Sequence, residues 1–326
     1  MAAQQLRGSS TPRRMHGRRS IVAVLVGAQS PFDVRQALWG YAFLSPWLLG
    51  LVLFVAGPML ACLALSFTEY DILSPAKWVG VENYRRALAE DELFWSSLGR
   101  TFYYAMITVP PGIVGSLGLA MLLNQRLRGT NSFRTLFFLP HLTPAVAMAT
   151  LWVWLMNPQI GPLNYALGYF GWPRDFPWLT SPKTVIPSLA LMGLWSGLGG
   201  NNMLIFLASL QGVPQELHEV ASIDGAGSWS RFRYVTLPMI SPAMFFNLVL
   251  GIISALQVFT QAWVATDGGP FYASWFFALH IYQQSFSYFR MGYGSALAWI
   301  FALIVMALTI ANVRLSDRWV YYGGAV

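Results

Sequence analysis

The sequence predicts an all-α, polytopic membrane protein with six transmembrane helices, and three observations support this fold class. Apolar residues make up 56% of the 326 residues, while charged residues make up only 10% and the mean hydropathy is +0.50. A water-soluble chain carries about 25% charged residues, so most of this protein's surface is expected to face lipid. Six apolar stretches are also each long enough to cross a hydrocarbon core about 30 Å thick as a helix.

The six predicted spans follow one another with short connections. The first is longer than a bilayer requires and contains Pro46 and Pro58, so we expect it to bend or to extend beyond the lipid. In the fourth, Gly199 and Gly200 permit a close helix contact or an unwound turn. The spans lie at about residues 37–67, 102–123, 135–156, 185–210, 243–265 and 292–313.

Positive charge sets the expected orientation. With the amino terminus inside, 13 of the 20 Lys and Arg residues fall in cytoplasmic segments, as the positive-inside rule requires. Both termini are therefore predicted to be cytoplasmic. The predicted organisation is a basic N-terminal arm at 1–36, a transmembrane domain at 37–313 and a C-terminal tail at 314–326. Tryptophan and tyrosine in the external segments are typical of the membrane interface.

Several classes of function are disfavoured by composition. The net charge of +7 does not indicate nucleic acid, because the basic residues occur in short runs rather than on one face with interleaved aromatic side chains. The single cysteine, Cys62, can form no internal disulfide and gives no metal cluster. No catalytic, cofactor-binding or metal-ligating residues are predicted.

The six spans contain no Asp, Glu, Lys or Arg, the residues that ion-coupled carriers place within the membrane. His141, flanked by Pro140 and Pro144, is the only side chain there that titrates near neutral pH, and its position is typical of a helix end rather than a proton relay. Neither Lys77 nor Lys183 lies in a phosphate-binding Gly-x-x-x-x-Gly-Lys-Ser/Thr loop. Energy for active transport must therefore come from a partner.

Two other classes remain as alternatives. An ion-coupled secondary carrier would lack its usual carboxylates. A membrane-embedded transferase would need a cluster of catalytic acids, bases or metal ligands at the membrane surface. The external acidic residues Glu90, Asp91 and Glu92 are interpreted as a solvated run.

The cytoplasmic loop at about 212–242 carries strong local structure signals. The sequence Pro-Gln-Glu at 214–216 begins a short helix, because proline and anionic side chains favour the amino end. Gly225 and Gly227 permit a tight turn, and Ser228 is predicted to cap a second short helix.

Pro238 and Pro242 are expected to end that second helix before the fifth span. The loop then presents small and apolar residues beside Glu219 and Asp224. An ordinary connector with solvated charges needs no placed turn and no two short helices, so the pattern favours a docking element.

This loop closely resembles the EAA loop of binding-protein-dependent ABC importer permeases, which reads Glu-Ala-Ala-x-x-Asp-Gly-Ala, then Phe, then Leu-Pro and a further Pro. Val220 replaces the central Ala. Segments 79–84, 133–140 and 266–270, in the same order, resemble motifs of the maltose, lactose and glycerol-phosphate group. The matching loop residues are Glu219, Ala221, Asp224, Gly225, Ala226, Phe232, Leu237, Pro238 and Pro242.

The resemblance implies a permease subunit of an ATP-binding cassette importer in a prokaryotic cytoplasmic (inner) membrane. Such a subunit forms half of the pathway for a sugar or sugar-like solute delivered by an external solute-binding protein. Its other partners would be a second, related permease and two ATP-binding subunits, which use ATP and Mg²⁺. The EAA loop would dock on an ATPase subunit, where Glu219 would meet a basic group.

Amide side chains in the later spans are candidates for lining the solute path, because neutral sugars are bound by amides, hydroxyls and aromatic faces. They are Asn201, Asn202, Gln257 and Gln261. Gln257 and Gln261 are four residues apart and are predicted to share a helix face. In the family resembled, the fourth and fifth spans line the cavity. The alternative is hydrogen bonding between helices.

Overall fold

The structure, a computed structural model, describes residues 31–125 and 129–321. Three parts of the predicted organisation lie outside the described residues: most of the N-terminal arm, Arg126 and Arg128 of the next segment predicted to be inside, and residues 322–326 of the tail. The chain divides into two compact units, Met1–Ala61 and Cys62–Val326.

The first predicted span is a helical run made of α1 (Pro31–Leu51), a π-helix (Val52–Ala56) and α2 (Gly57–Ser66). Its apolar part, Leu38–Ser66, has 29 residues. At 1.5 Å per residue this is about 43 Å, longer than the hydrocarbon core, as the sequence predicts. The N–H of Gly57 donates to the Val52 carbonyl, five residues earlier. This wider turn precedes Pro58, which has no N–H to donate.

A short hairpin and a helix follow this run. Strands β1 (Thr68–Glu69) and β2 (Lys77–Trp78) are antiparallel, with Thr68 opposite Trp78. Helix α3 (Glu82–Ala89) lies beside them. The buried Asn83 amide donates to the carbonyls of Ser66 and Thr68, both at 2.9 Å, and so joins α3 to the hairpin.

The longer of the remaining helices are apolar. They are α4 (Glu92–Leu123), α5 (Thr130–Leu142), α6 (Ala145–Leu155), α7 (Pro162–Gly168), α8 (Val185–Leu198), α9 (Asn201–Gln211), α10 (Gln215–Ile223), α11 (Ser228–Arg231), a π-helix (Phe232–Thr236), α12 (Leu237–Met239), α13 (Ser241–Leu256), α14 (Thr260–Thr266), α15 (Phe277–Tyr282), a π-helix (Gln283–Ser287) and α16 (Met291–Ser316).

Helix α4 is the central element of the second unit. It packs against α8, α9, α13 and α15, and it begins ten residues before the predicted second span. Two clusters of buried apolar side chains lie along it. The larger includes Phe94, Leu189 and Phe277, and the smaller includes Leu123 and Phe206.

The third predicted span is not one straight helix. It consists of α5 and α6, which meet at an angle of 93°. Thr143 is extended, with ψ 132°, as is Pro144, with ψ 135°. A residue before proline is forced out of the helical region of backbone conformation. Thr143 precedes Pro144, so α5 ends at Leu142. The predicted span over 135–156 therefore corresponds to a bent pair of helices.

The fourth predicted span is also bent, by 43° between α8 and α9. The sequence allowed two possibilities for Gly199 and Gly200, a close helix contact and an unwound turn, and both are confirmed. The helix unwinds there, and a Cβ added to Gly199 would overlap the backbone carbonyl of Phe137 on α5. The hydroxyl of Ser116 on α4 donates to the Leu198 carbonyl at 2.9 Å, which satisfies a group that the break frees.

The fifth predicted span contains a shorter interruption. Helix α13 ends at Leu256, residues 257–259 are not helical, and α14 begins at Thr260. The sixth, α16, is continuous. Among the described residues, four helices are long and apolar enough to cross a membrane, or up to six if each bent pair is one span.

We predict that Gly199→Ala destabilises the protein, because the new methyl group meets backbone that cannot easily move. Overpacking of this kind costs about 1–3 kcal/mol, so the melting temperature in nanodiscs should fall. Gly197→Ala is the matched control, since a Cβ there would have nothing within 4 Å. Equal melting temperatures for the two variants would contradict the close contact.

Candidate functional site

A cavity of about 470 Å³ lies where three interrupted helices meet. His141 and Ala145 line it from either side of the α5–α6 break. Asn201 and Asn202 line it just after the α8–α9 break, and residues 258–261 contribute from the α13–α14 break. The rest of the wall comes from α4, α8 and α13. All three helix breaks therefore border one space.

The structure brings three of the four predicted amides together at this cavity and separates the fourth. Asn201, Asn202 and Gln261 line it. Gln257 is exposed and lines a different cavity, of about 420 Å³, with Ile281 among its neighbours. The prediction that Gln257 and Gln261 share a helix face is wrong, because α13 ends before Gln257 and Gln261 belongs to α14.

The cavity also holds a polar contact that sequence reasoning missed. The hydroxyl of Tyr104 on α4 donates to Oε1 of Gln261 at 3.1 Å, and Tyr104 is only 5% exposed. Because Tyr103 and Tyr104 are adjacent in an apolar run, the sequence carries no signal of which ring faces inward. Burial distinguishes them, since Tyr103 is exposed.

The remaining lining is mostly uncharged. Among the residues that the structure describes, the cavity wall contains no Asp, Glu, Lys or Arg. Polar groups come from the hydroxyls of Thr108, Ser254 and Thr260, and Phe259 supplies an aromatic ring. His141 lies in the last turn of α5, which confirms its placement at a helix end. Such a wall offers hydrogen bonds and apolar contact to a solute.

In the loop over 212–242, α10 ends in a Schellman turn, which explains part of the motif. Gly225 has φ +79°, a conformation that glycine adopts without strain. The Ala226 N–H donates to the Ala221 carbonyl at 2.9 Å, and the Gly225 N–H donates to the Ser222 carbonyl at 3.1 Å. The predicted helix start also holds, with Pro214 directly before α10.

Two details of that loop differ from the prediction. Ser228 does not cap the second helix; Gly227 holds that position and Ser228 is the first helical residue. Pro238 and Pro242 do not end the helix either. Helix continues from Ser228 through the π-helix to Met239 and resumes at Ser241 after a single turn residue. The π-helix immediately before α12 provides the wider turn that a residue without an N–H requires.

The surface of α10 is exposed and mixed in character. No residue of α10 is buried. Glu219 accepts a hydrogen bond from the Gln215 amide at 2.8 Å and makes no ion pair within the described residues. Leu217, Val220 and Ile223 are exposed apolar neighbours, with Ile223 84% exposed. Of the other motif residues, Asp224 is exposed, whereas Ala221, Ala226, Phe232, Leu237, Pro238 and Pro242 are half-buried.

A second polar cluster corrects the interpretation of Asp91 as part of a solvated run. Its carboxylate caps α4 by accepting from the Leu93 N–H at 2.9 Å, and it also accepts from the Tyr293 hydroxyl at 2.5 Å. His280, fully buried, contacts it through Nε2 at 2.8 Å. Because the Trp275 N–H donates to Nδ1 of His280 at 3.1 Å, Nε2 carries the proton and donates. This cluster joins α4, α15 and α16.

The chain is similar to known proteins in sequence. Residues 112–320 match the model of a family described as binding-protein-dependent transport system inner membrane component. The chain is 39% identical over 291 residues to the probable ABC transporter permease protein YesP of Bacillus subtilis, covering 88% of this chain and 93% of that protein. It is 30% identical over 291 residues to the trehalose/maltose transport system permease protein MalF of Thermococcus litoralis, covering 88% and 96%.

A solved structure shares the fold. It is a chain of a bacterial alginate ABC transporter in complex with an alginate pentasaccharide-bound periplasmic protein, with a TM-score of 0.77 at 22% identity, covering 88% of this chain and 96% of that one.

We predict that Asp91 stabilises the protein in a pH-dependent way. Burial raises the pKa of its carboxyl, but hydrogen bonds from His280 and Tyr293 outweigh that effect and lower it from 3.8 to about 2. Its contribution is therefore complete above the unfolded-state pKa and is lost as pH falls from about 4 to 2. Asp91→Asn should cost about 1–3 kcal/mol at neutral pH.

The measurement is the melting temperature of both proteins in nanodiscs at several pH values. The gap between wild type and Asp91→Asn should shrink as the pH is lowered from 4 to 2. Glu92→Gln is the control, because Glu92 is exposed beside Asp91. A gap that stays constant with pH would show that the Asp91 charge does not stabilise the fold.

Proposed function

The chain belongs to the family of binding-protein-dependent transport system inner membrane components, and on that premise we propose that it forms half of the pathway by which a sugar or sugar-like solute crosses the membrane. The observation that carries this proposal is the cavity at the meeting point of the three helix breaks, with its amides, hydroxyls and aromatic ring. The names of relatives add support, since the Thermococcus protein is a trehalose/maltose permease. Family membership leaves an ion-coupled carrier or a transferase without support.

The proposed solute contacts are the cavity amides Asn201, Asn202 and Gln261. Gln257 is a weaker proposal, because it faces the second cavity instead. A second, related permease would complete the pathway, and an external binding protein would deliver the solute. The alginate transporter, which was crystallised with its periplasmic protein, supports this last partner.

Energy would come from two ATP-binding subunits, which use ATP and Mg²⁺, because neither lysine of this chain lies in a phosphate-binding loop. Their closure would move the cytoplasmic loops and switch the cavity from inward-facing to outward-facing access. Helix α10 suits a docking role for two reasons. Its apolar side chains are exposed, and Glu219 has no basic partner among the described residues. A basic group on an ATPase subunit would pair with this carboxylate.

We predict that Glu219→Ala and Gly225→Val each weaken the attachment of the ATPase or uncouple ATP hydrolysis from uptake. Removing one partner of a partly desolvated charge pair costs about 2–5 kcal/mol. A β-branched residue at the φ of Gly225 would distort the turn. ATPase retained by the detergent-purified complex and sugar uptake by proteoliposomes are the two measurements.

Two control variants carry the same kinds of substitution at other positions, and they test whether the effect depends on the position. Glu216→Ala removes an exposed carboxylate from the same helix. Gly129→Val strains a glycine with a similar φ, +83°, in the loop between the second and third spans. Both should have smaller effects. ATPase retention and coupled uptake at wild-type levels in both α10-loop variants would disprove the docking role.

We propose that both termini are cytoplasmic, from the distribution of Lys and Arg. Reporters fused after Gly129 and Gly227 should then report a cytoplasmic position, whereas fusions near Trp172 and Tyr272 should be external. Paired phosphatase and fluorescent-protein fusions provide the measurement. A cytoplasmic signal at Trp172 would reverse the orientation.

A further inference from the structure

The contact between Tyr104 and Gln261 fixes how the glutamine amide can be used. Tyr104 donates to Oε1 at 3.1 Å. An amide whose oxygen is engaged in this way keeps its two N–H donors for another partner. Nε2 makes no hydrogen bond to any other described residue, although Gln261 lines the cavity. The arrangement therefore presents N–H donors to whatever occupies this space.

Gly193 on α8 makes room for this contact. A Cβ at this position would lie 2.6 Å from the Tyr104 hydroxyl oxygen and 3.6 Å from both terminal atoms of the Gln261 side chain. Real Cβ atoms do not approach an oxygen that closely, so any side chain here would displace the tyrosine. Three segments that are distant in sequence, in α4, α8 and α14, thus meet at one hydrogen bond.

We propose that Tyr104 and Gly193 are positioning residues that hold the Gln261 amide with its N–H groups directed at an oxygen of the transported solute. This inference rests on the proposed function. The ligand class it implies is a polyhydroxylated solute, whose hydroxyl oxygens accept from Gln261. Asn201 and Asn202, together with the hydroxyls of the wall, supply further partners, and the ring of Phe259 offers an apolar face.

The test uses the complete importer, with its binding protein and ATPase, in proteoliposomes. The probe is a ¹³C-labelled partial hydrolysate of starch and alginate, and mass spectrometry measures the sugar accumulated per ATP hydrolysed. Tyr104→Phe removes only the hydroxyl, so this ratio should fall about 2- to 10-fold, the range expected for one hydrogen bond. Tyr103→Phe, at the exposed neighbouring ring, should leave it unchanged.

Double variants separate positioning from general damage. Because Tyr104 acts through Gln261, Tyr104→Phe combined with Gln261→Ala should match Gln261→Ala alone. Gly193→Ala should lower both the ratio and the melting temperature, and it should do so much less in the Tyr104→Phe background, where the clashing oxygen is gone.

Two results would overturn the inference while leaving the proposed function intact. The first is a ratio of sugar accumulated to ATP hydrolysed in Tyr104→Phe that equals the wild-type ratio. The second is that the shifts in melting temperature caused by Gly193→Ala and Tyr104→Phe are strictly additive in the double variant. Failure of the wild-type importer to accumulate any labelled sugar would contradict the proposed function and, with it, this inference.

Discussion

The structure depends on one constraint: in hydrocarbon, every backbone N–H and C=O must be bonded within the protein, so a helix can be interrupted only where other groups replace the lost bonds. The breaks near Thr143, Gly199 and Val258 all border the same cavity, and near Gly199 side chains of other helices bond the backbone. The Ser116 hydroxyl bonds the Leu198 carbonyl, and the Asn247 amide donates to the Asn202 carbonyl at 3.3 Å. The space lined by the proposed solute-contact amides is therefore also the space that borders irregular backbone.

Apolar runs located the membrane spans because hydropathy requires no tertiary information, but they did not show where the helices break. The break in the third span follows local chemistry, since Pro144 forces Thr143 out of the helix. The break after Leu256 has no such signal, because residues 257–259 contain neither proline nor glycine. Only packing shows that Gln257 and Gln261 point into different cavities. The hydrogen bond between Tyr104 and Gln261 spans 157 residues and was invisible for the same reason.

The loop over 212–242 was more predictable, because its turn depends on short-range geometry. Gly225 marks the left-handed position, and a Schellman turn follows from it. The wrong prediction at Pro238 also has its cause in the neighbouring residues. A proline inside a helix was expected to end it, but the preceding π-helix accommodates the missing N–H and lets the helix continue. Asp91 was misjudged because its partners, His280 and Tyr293, come from the other end of the chain.

A nearly continuous helical segment connects the loop over 212–242 to the cavity. Helix runs from Ser228 to Leu256 with one turn residue, and the non-helical residues 257–259 separate its end from α14, which carries Gln261. Tyr104, its partner, lies on α4, which the Asp91 cluster fixes at its amino end. If closure of the ATPases moves α10 as proposed, the displacement would reach α14 along this helix, whereas α4, which also packs against α13, would be restrained at its amino end by the Asp91 cluster. The Tyr104–Gln261 hydrogen bond would then be among the first contacts in the cavity to change, and the solute would lose its positioned donor as access switches.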